Sequence, residues 1–478
     1  MSERLREKCG VCSVSTGANA GPNEASHVAA QMLFALQHRG VEASGIVTEG
    51  DGTRLRVVRS PGMVRDVHTD ETIQSLDGRT AIGHNRYSTN GDKRLHLQPV
   101  VNKAVQLAFA HNGNISDTTE LEAYLSERRY RTGQYNDSEL LGNTIASKLH
   151  GGRSLEDAIS ESVEYAIGAY ACTLSYDGVT AAFRDPHGIR PLELGQYEGG
   201  IVAASETCAL DTAGAEHLRS VAPGEIVLMQ NGELVKRVQF AEPDPKLDMF
   251  EFIYFARHDS YLCGQRVSEV RRRFGQELAQ QHPSRSGAYN SIVVPIPDTS
   301  IPAAEGYAEA LALPLRQAVV KNRYIGRTFM RPDQQSRRSD LQLKHTIISE
   351  QINGKDVIFI DDSIVRGNTM PRLVKNARNM GAKSVHVLIA SPPIRFPDFY
   401  GVDTPAQDKL MAADMSVEQM RQAIDCDYLG FLAVSDVVRA TNLPPDEFNL
   451  AAFTGEYPIP IGAHAAQIRA PVSSEYLY

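Results

Sequence analysis

The sequence lacks several features that mark specialised classes of protein. Its six cysteines are scattered through 478 residues, which excludes the dense framework of a small disulfide-stabilised protein and indicates a reducing cytoplasm. No apolar run approaches the ~20 residues that a membrane-spanning helix requires, and the charged start of the chain has no apolar core of a secretion signal. The net charge of -9 provides no basic excess for a nucleic-acid surface. We therefore expect neither a membrane nor a nucleic acid as a partner.

The length of the chain and the pattern of its segments predict two domains. The length exceeds the size at which a single hydrophobic core usually keeps growing. Up to about residue 239, short β-branched segments separated by Gly, Asn and Asp indicate packed sheets. Amphipathic stretches in the same part predict helices at residues 23–38, 118–129 and 138–150. A polar stretch with two prolines follows at residues 240–246 and is typical of a linker.

The pattern changes beyond this linker. Buried strands are predicted at residues 291–296, 356–360 and 385–389, and helices at residues 302–311, 371–380 and 416–424. Strands that alternate with helices are typical of βαβ units and predict a parallel sheet. After about residue 400 the pattern weakens, and we expect the last thirty residues to pack back onto the body of the protein.

One stretch has the pattern of a phosphate site, VIFIDDSIVRGNT at residues 357–369. Its apolar strand ends in Asp361 and Asp362, and ligands of open α/β sheets bind at such strand ends. The backbone N–H groups and hydroxyls of the following loop, the charge of Arg366 and the positive end of the next helix suit a phosphate monoester. The two carboxylates suit ribose hydroxyls or a hard cation such as Mg²⁺. A pair of aspartates by itself is more often a solvated turn, but the thirteen-residue context argues against that interpretation.

The same stretch resembles the phosphoribosyl pyrophosphate signature of type I phosphoribosyltransferases, and IDDSIVRGNT resembles the glutamine phosphoribosylpyrophosphate amidotransferase family in particular. Three more segments resemble that family: FEFIYFARHDS, PIPDTSIPAAEGYA and VKNRYIGRTF, at residues 250–260, 295–308 and 320–329. The resemblance implies that Mg²⁺ is held by Thr299, Asp361 and Asp362, and that a loop at residues 327–344 closes over the pyrophosphate. The residues implied to bind phosphoribosyl pyrophosphate are Asp361, Asp362, Ser363, Val365, Arg366, Gly367, Asn368, Thr369 and Lys344.

Segments of the first half resemble, in order, the glutaminase domain of the N-terminal-nucleophile amidotransferases. They read LQHRGVEASGI, IGHNRYSTNGD, AHNGNISD and NDSEL, at residues 36–46, 82–92, 110–117 and 136–140. The resemblance implies that Cys9 is the nucleophile and that the Asn112 side chain and the Gly113 backbone N–H form the oxyanion hole. The implied glutamine-binding residues are Arg86 for the α-carboxylate, Asp137 for the α-ammonium group, and Thr89.

A terminal position would explain how Cys9 reacts. Its thiol needs a base, and a free α-amino group with a pKa of about 7.7–8.0 can serve where an amide nitrogen cannot. Cys9 is therefore predicted to be a nucleophile only after a leader, residues 1–8, has been removed. If the leader stays, the alternative is a regulatory protein, or a homologue that uses ammonia alone. A sugar-phosphate amidotransferase would share the first half, but IDDSIVRGNT argues against it.

The sequence also argues against an iron–sulfur centre. The family contains members with a four-iron, four-sulfur cluster, and its four cysteine positions correspond here to Met249, Asp398, Asn449 and Ala452. Such a cluster is normally held by four thiolates. We therefore predict no iron–sulfur cluster, and Mg²⁺, which the resemblance implies at Thr299, Asp361 and Asp362, as the cofactor.

Three histidines and one further cysteine could suggest a metal or redox site, but we interpret them as structural residues. His38, His84 and His111 lack the spacing of a zinc site, and each lies inside a family motif. Cys12 and Cys9 have the spacing of a redox CxxC motif, but if Cys9 is the nucleophile we interpret Cys12 as a buried strand residue.

Together with these patterns, the resemblance implies an α+β N-terminal-nucleophile glutaminase domain with an αββα sandwich, followed by an α/β type I phosphoribosyltransferase domain with a central parallel sheet. The predicted bounds are residues 1–8 for the leader, 9–240 and 250–445 for the two domains, and 446–478 for a C-terminal segment. The resemblance implies a cytoplasmic enzyme of purine biosynthesis that converts glutamine, water and phosphoribosyl pyrophosphate to 5-phosphoribosylamine, glutamate and pyrophosphate. It also implies inhibition by purine nucleotides and a homodimer or homotetramer.

Overall fold

The fold was analysed in a computed structural model, which describes residues 9–50, 54–86, 96–283, 290–321 and 345–476. Among the described residues, no helix is both long enough and apolar enough to cross a membrane. We call residues 9–239 the sandwich and residues 247–476 the parallel-sheet region. Residues 240–246 join them without regular structure, as their composition predicts.

Two antiparallel sheets make up the centre of the sandwich. One has the strand order β11-β9-β10-β1-β4-β2-β3 and the other β13-β12-β8-β7-β6-β5 in the described chain. The strands are β1 Cys9–Thr16, β2 Ala43–Glu49, β3 Leu55–Pro61, β4 Thr80–Arg86, β5 Val100–Asn102, β6 Leu107–Asp117, β7 Ile167–Tyr176, β8 Val179–Arg184, β9 Glu193–Tyr197, β10 Gly200–Ala204, β11 Glu216–Ser220, β12 Glu225–Gln230 and β13 Glu233–Gln239.

Helices cover the outer face of each sheet. They are α1 Glu24–Ala35, α2 Val64–Val67, α3 Asp70–Gln74, α4 Thr119–Glu127, α5 Asp137–His150, α6 Leu155–Val163 and α7 Thr207–Thr212. Alternate residues of each strand divide between two cores: Val11 and Ile82 meet Ala110 between the sheets, whereas Cys12 and Val14 pack towards α1. This alternation follows from the period of two in a strand. The result is the predicted αββα sandwich.

The parallel-sheet region is built on four strands in the order β17-β20-β21-β22, all parallel. Its strands are β14 Leu247–Asp248, β15 Tyr261–Leu262, β16 Gln265–Arg266, β17 Ser291–Pro295, β18 Val319–Lys321, β19 His345–Ile347, β20 Asp356–Asp361, β21 Ser384–Ile389, β22 Tyr428–Phe431 and β23 Phe448–Asn449. Its helices are α8 Val267–Gln281, α9 Ile301–Ala310, α10 Ser349–Ile352, α11 Met370–Asn379, α12 Met411–Asp414, α13 Val417–Ile424, α14 Val434–Thr441 and α15 Ala451–Thr454.

Both faces of this parallel sheet are buried. Ile358 and Ile360 of β20 pack in a core with α8 and α9, and Val357 and Phe359 pack on the other face with α11. A sheet covered on both faces explains why its strands read as nearly continuous apolar runs. The polar residues that follow β17 and β20 are thereby gathered at one edge, where the strands end.

Candidate active sites

Cys9 begins β1 and faces the space between the two sheets of the sandwich. Its side chain lies on the same side of the strand as that of Val11, which packs in the inter-sheet core. Cys9 is 7% exposed. The prediction that Cys12 is a buried strand residue is confirmed, because it is fully buried on the opposite side of β1. Burial raises the pKa of the Cys12 thiol far above its usual range, so this thiol stays protonated.

Asn112 lies on the second sheet, and its side chain faces the same inter-sheet space as that of Cys9. Ala108 and Ala110 of β6 belong to the inter-sheet core, and Asn112 follows in the same alternation, fully buried. Gly113 has φ +141°, and a Cβ added there would lie 2.1 Å from the carbonyl oxygen of Ala169. Only glycine fits this backbone position.

Two of the three predicted binding residues for glutamine lie within the described residues, and they come from different layers. Arg86 lies directly opposite Cys9 in the pairing of β4 with β1. Asp137 is the first residue of α5, and its Oδ2 accepts a hydrogen bond of 3.2 Å from the backbone N–H of Ile115, two residues after Gly113. A guanidinium beside the nucleophile and a carboxylate close to the segment that follows Gly113 suit a zwitterionic amino acid.

A chain of hydrogen bonds joins Arg86 to the start of α5. Arg86 Nη1 donates to the backbone oxygen of His96 at 3.0 Å, and His96 Nδ1 lies 2.8 Å from Glu139 Oε2. The same Glu139 oxygen accepts from the backbone N–H of Asn136 at 2.9 Å, completing a capping box with the Asn136 side chain. The sequence reasoning missed Glu139 as a supporting residue, although the Asn-x-x-Glu spacing within NDSEL is a capping-box signal.

The three histidines of the glutaminase motifs, His38, His84 and His111, have hydrogen-bond partners or burial that suit structural roles. His111 Nδ1 lies 3.0 Å from Ser138 Oγ, and His38 Nε2 lies 2.6 Å from Glu206 Oε1. Burial lowers the pKa of His84 to about 3, followed in importance by the charge of Arg86. Within the ranges that the structure describes, no three His, Cys, Asp or Glu side chains are placed to hold a metal. Two further predictions for this site, Thr89 and the leader at residues 1–8, lie outside the described residues.

The second candidate site lies where β17 and β20 end side by side. The backbone N–H of Ile296 donates to Ile360 O at 2.9 Å, which brings the segment after β17 to the end of β20. Thr299 Oγ1 donates to Asp362 Oδ2, and the side chains of Asp361 and Asp362 are both buried. The structure thus brings together the three residues predicted to share a cation.

The loop after Asp362 is held by a hydrogen bond at its start and by close packing of Gly367 on Met411. Ser363 Oγ donates to Asp362 Oδ1 at 2.6 Å. Gly367 has φ +69°, and a Cβ added there would lie 2.2 Å from Met411 Sδ. Asn368 is exposed, and α11 begins at Met370, directly after Thr369. A loop that runs into a helix N-terminus in this way favours an anion such as a phosphate. Lys344 and the predicted closing loop at residues 327–344 lie outside the described residues.

The donors at this site fit magnesium. Two adjacent carboxylates and the Thr299 hydroxyl are hard oxygen ligands, and Mg²⁺ is usually held by one or two carboxylates together with water and substrate phosphates. Such a site needs no third carboxylate from the protein.

The four positions that correspond to iron–sulfur ligands do not fit a cluster. Met249 and Ala452 pack in one apolar core. Asp398 Oδ1 accepts the backbone N–H groups of Tyr400 and Val402, each at 2.8 Å. Asn449 Oδ1 accepts the backbone N–H of Ala451 at 3.1 Å. Packing and turn hydrogen bonds therefore occupy the places where a cluster would need thiolates.

Comparison with known proteins assigns the family. Residues 84–212 match the model of a glutamine amidotransferase domain. The amidophosphoribosyltransferase of Synechococcus elongatus is 40% identical over 467 residues, 96% of this chain and 93% of that protein. The amidophosphoribosyltransferases of Bacillus subtilis and Methanothermobacter thermautotrophicus are 38% and 34% identical, and the matches cover 96% and 98% of this chain and 95% and 98% of those proteins. The chain belongs to the amidophosphoribosyltransferase family.

Solved structures of amidophosphoribosyltransferases have the same fold. The glutamine phosphoribosylpyrophosphate amidotransferase of B. subtilis, complexed with ADP and GMP, matches with a TM-score of 0.85 and 36% identity, over 95% of this chain and 98% of that one. A structure described as the allosteric regulatory enzyme of purine biosynthesis matches with a TM-score of 0.87 and 36% identity, over 95% and 97% of the two chains. The predicted fold, a glutaminase sandwich followed by a phosphoribosyltransferase sheet, is confirmed.

Proposed function

We propose that this amidophosphoribosyltransferase converts glutamine, water and phosphoribosyl pyrophosphate to 5-phosphoribosylamine, glutamate and pyrophosphate, using Cys9 for the first half of the reaction and the site around Asp362 for the second. The assignment of these residues is supported by the presence of both sites in one chain. Cys9 lies opposite Arg86 at the end of the inter-sheet space, and Thr299 contacts Asp362 where two parallel strands end.

The glutamine half uses a nucleophile, a base and an oxyanion hole. Once residues 1–8 are removed, the free α-amino group of Cys9 takes the thiol proton and the sulfur attacks the side-chain amide carbon of glutamine. Asn112 and the Gly113 backbone N–H stabilise the negative oxygen that forms. The tetrahedral intermediate then breaks down. Its C–N bond is cleaved, which leaves a thioester at Cys9 and releases ammonia, and this ammonia carries the proton that the thiol gave up. Water then hydrolyses the thioester to glutamate. Arg86, Asp137 and Thr89 orient the substrate.

The ribose half is a displacement at the anomeric carbon. Ammonia forms the new C–N bond while the bond to pyrophosphate breaks, and the ammonium group formed on the ribose gives one proton to water. Residues 363–369 bind the 5-phosphate through backbone N–H groups and the start of α11, and Asp361 and Asp362 hold the ribose hydroxyls. Mg²⁺ bound by Thr299, Asp361 and Asp362 would supply positive charge to the departing pyrophosphate. Lys344 is assigned to the same leaving group.

Partners and organisation complete the proposal. The B. subtilis relative was solved with ADP and GMP, which supports purine nucleotides as inhibitors here, since a nucleotide 5-phosphate suits the same loop. We assign residues 9–240 to glutaminase and 250–445 to phosphoribosyl transfer, with 446–478 as a C-terminal segment. The enzyme acts in the cytoplasm as a homodimer or homotetramer, with Mg²⁺ and without an iron–sulfur cluster.

Two variants and a mass measurement test this assignment. Cys9→Ala should abolish phosphoribosylamine formation from glutamine and leave formation from ammonia intact, because only the first half needs the thiol. Asp362→Asn should reduce formation from either nitrogen donor about a hundredfold or more, because an active-site carboxylate charge is lost. The intact mass of active protein should lack residues 1–8. Full glutamine use by Cys9→Ala would contradict the mechanism, and a retained leader without glutaminase activity would favour a regulatory or ammonia-only protein.

A further inference from the structure

A buried group of charges crosses the boundary between the sandwich and the parallel-sheet region. Glu251, just after β14, receives two hydrogen bonds from Arg39, which follows α1: Nη2 to Oε2 at 2.6 Å and Nη1 to Oε1 at 3.3 Å. Arg190 Nη2 lies 3.0 Å from Glu251 Oε1. All three side chains are fully buried. A fully buried bidentate ion pair therefore joins the sandwich to the parallel-sheet region.

Arg39 is also held from its own side of the boundary. Its Nε donates to Glu206 Oε1, and the other carboxylate oxygen of Glu206 accepts from the backbone N–H of Arg257 at 2.9 Å. Burial alone would raise the pKa of Glu206, but the neighbouring charges of Arg39 and His38 outweigh it and the net shift is strongly downward. Glu206 is therefore ionised, and the guanidinium of Arg39 is fixed between two carboxylates. Removing one partner of such a buried pair leaves an uncompensated charge, so the geometry is strongly specified.

The other side of Arg39 lies next to the backbone beside the nucleophile. A Cβ added at Gly10, the residue after Cys9, would lie 3.5 Å and 3.6 Å from Cβ and Cδ of Arg39. The next residue, Gly40, packs so closely on β4 that a Cβ there would lie 2.8 Å from the backbone of Arg86. A shift of Arg39 would therefore move Gly40 against the backbone of Arg86 and would change the space beside Gly10, because protein interiors are close-packed.

The segment that carries Glu251 is fixed by a side chain of α8. Arg271 of α8 donates from Nε to Phe252 O at 2.6 Å and from Nη2 to Ala256 O at 2.9 Å, which clamps the segment that starts at Glu251. Burial lowers the pKa of Arg271 to about 10, and the charge of Asp362 acts in the opposite direction. The segment that carries Glu251 is thus held by a side chain within electrostatic reach of Asp362.

We infer that Glu251 is a positioning residue for the glutaminase site: from the parallel-sheet region, and through Arg39, it holds the Cys9–Gly10 backbone in the reactive arrangement. This inference rests on the proposed function of Cys9. It also means that docking on the parallel-sheet region completes the reactive geometry of the sandwich, because one of the two carboxylates that orient Arg39 comes from there. Glu251 touches neither substrate.

The test compares Glu251→Gln, Glu225→Gln and the wild-type enzyme, each as the full processed chain. Glu225 is the matched control, since it is also buried and pairs with Arg219 at 2.7 Å and Arg237 at 2.6 Å, all within the sandwich. Glu251→Gln should lower kcat/KM for glutamine and the rate of Cys9 alkylation by a diazoketone analogue of glutamine by about tenfold or more. Phosphoribosylamine formation from ammonia should stay within about twofold, and Glu225→Gln should leave all three rates near the wild-type values.

A double-variant cycle separates positioning from general destabilisation. If Glu251 acts through Arg39, Glu251→Gln should have little further effect on glutamine use in an Arg39→Lys background. Additive losses, or an unchanged alkylation rate in Glu251→Gln, would overturn the inference. Should Glu251→Gln fail to fold, Glu251→Asp, which keeps the charge one methylene short of Arg39, is measured in the same way, and unchanged Cys9 alkylation there would overturn it too. A wild-type enzyme inactive with both nitrogen donors would instead contradict the proposed function.

Discussion

Among single residues, two buried histidines make stability depend on pH. Burial lowers the pKa of His68 to about 4, and burial together with Arg86 lowers that of His84 to about 3. Both are therefore neutral in the folded protein at pH 5, whereas the unfolded chain takes up protons below its pKa of about 6.5. The unfolded state binds more protons in this window, so the free energy of unfolding falls as the pH drops from about 6.5 towards 4.

We expect each of these histidines to lower the free energy of unfolding by about 2 kcal/mol between pH 7 and pH 5. His68→Asn should remove its share and flatten the pH dependence. Urea denaturation at pH 7, 6 and 5, followed by circular dichroism, measures the slope. His150→Asn, which changes an exposed histidine at the end of α5, is the control, and an equal flattening in both variants would disprove the role of burial.

At the scale of a single element, the start of α5 positions a predicted substrate ligand. The capping box of Asn136 and Glu139 satisfies backbone N–H groups at the helix start, where Asp137 lies. α13, in the parallel-sheet region, begins with an equivalent box formed by Ser416 and Gln419. The described part of the chain thus contains two similar caps, and the one at α5 includes the predicted substrate-binding residue Asp137.

Replacing either cap should cost about 1 kcal/mol of stability, but only one should affect glutamine. Asn136→Ala is expected to raise the KM for glutamine severalfold, because Asp137 loses its fixed position, while KM for phosphoribosyl pyrophosphate stays unchanged. Ser416→Ala should lower the melting temperature similarly and leave both KM values alone. Steady-state kinetics with thermal melts decide this, and a matching KM change in Ser416→Ala would show that destabilisation alone explains the effect.

For the whole molecule, a second contact between the two parts reaches the predicted oxyanion hole. Asn114 Nδ2 donates to Phe399 O at 2.9 Å, and Ser116 Oγ donates to Pro460 O at 3.1 Å. Gly401 has φ +120°, and a Cβ there would lie 3.0 Å from Cα of Gly113. The parallel-sheet region therefore supports the sandwich at Gly113 as well as at Arg39.

Gly401→Ala should impair glutamine use more than ammonia use, since the added methyl group presses on the backbone of Gly113. The strain at positive φ adds about 1–3 kcal/mol of destabilisation. Gly462→Ala is the control: Gly462 also has a positive φ, of +53°, at the same boundary, but a Cβ there meets nothing nearer than 3.6 Å. Rates with the two nitrogen donors should separate the variants, and equal ratios in both would refute a contact effect on Gly113.

Local pattern was sufficient to predict several elements individually. The strand predicted at residues 356–360 is Asp356–Asp361, and the helix predicted at 371–380 is Met370–Asn379. The helix predicted at 23–38 ends earlier, at Ala35, because the residues after it turn so that Arg39 meets Glu206 and Glu251. Periodicity reports which face of a segment is apolar, but not the tertiary contact that ends it.

The sequence by itself determined the two kinds of sheet, the phosphate-type loop after Asp362 and, through resemblance, the candidate residues of both sites. These depend on neighbours within a few residues, which periodicity and motifs record. Only the tertiary structure decided that Cys9 lies beside Arg86, that Thr299 contacts Asp362, and that Glu251 holds Arg39 across 212 positions of the chain. Contacts between distant segments depend on which faces pack together, and no local pattern contains that information.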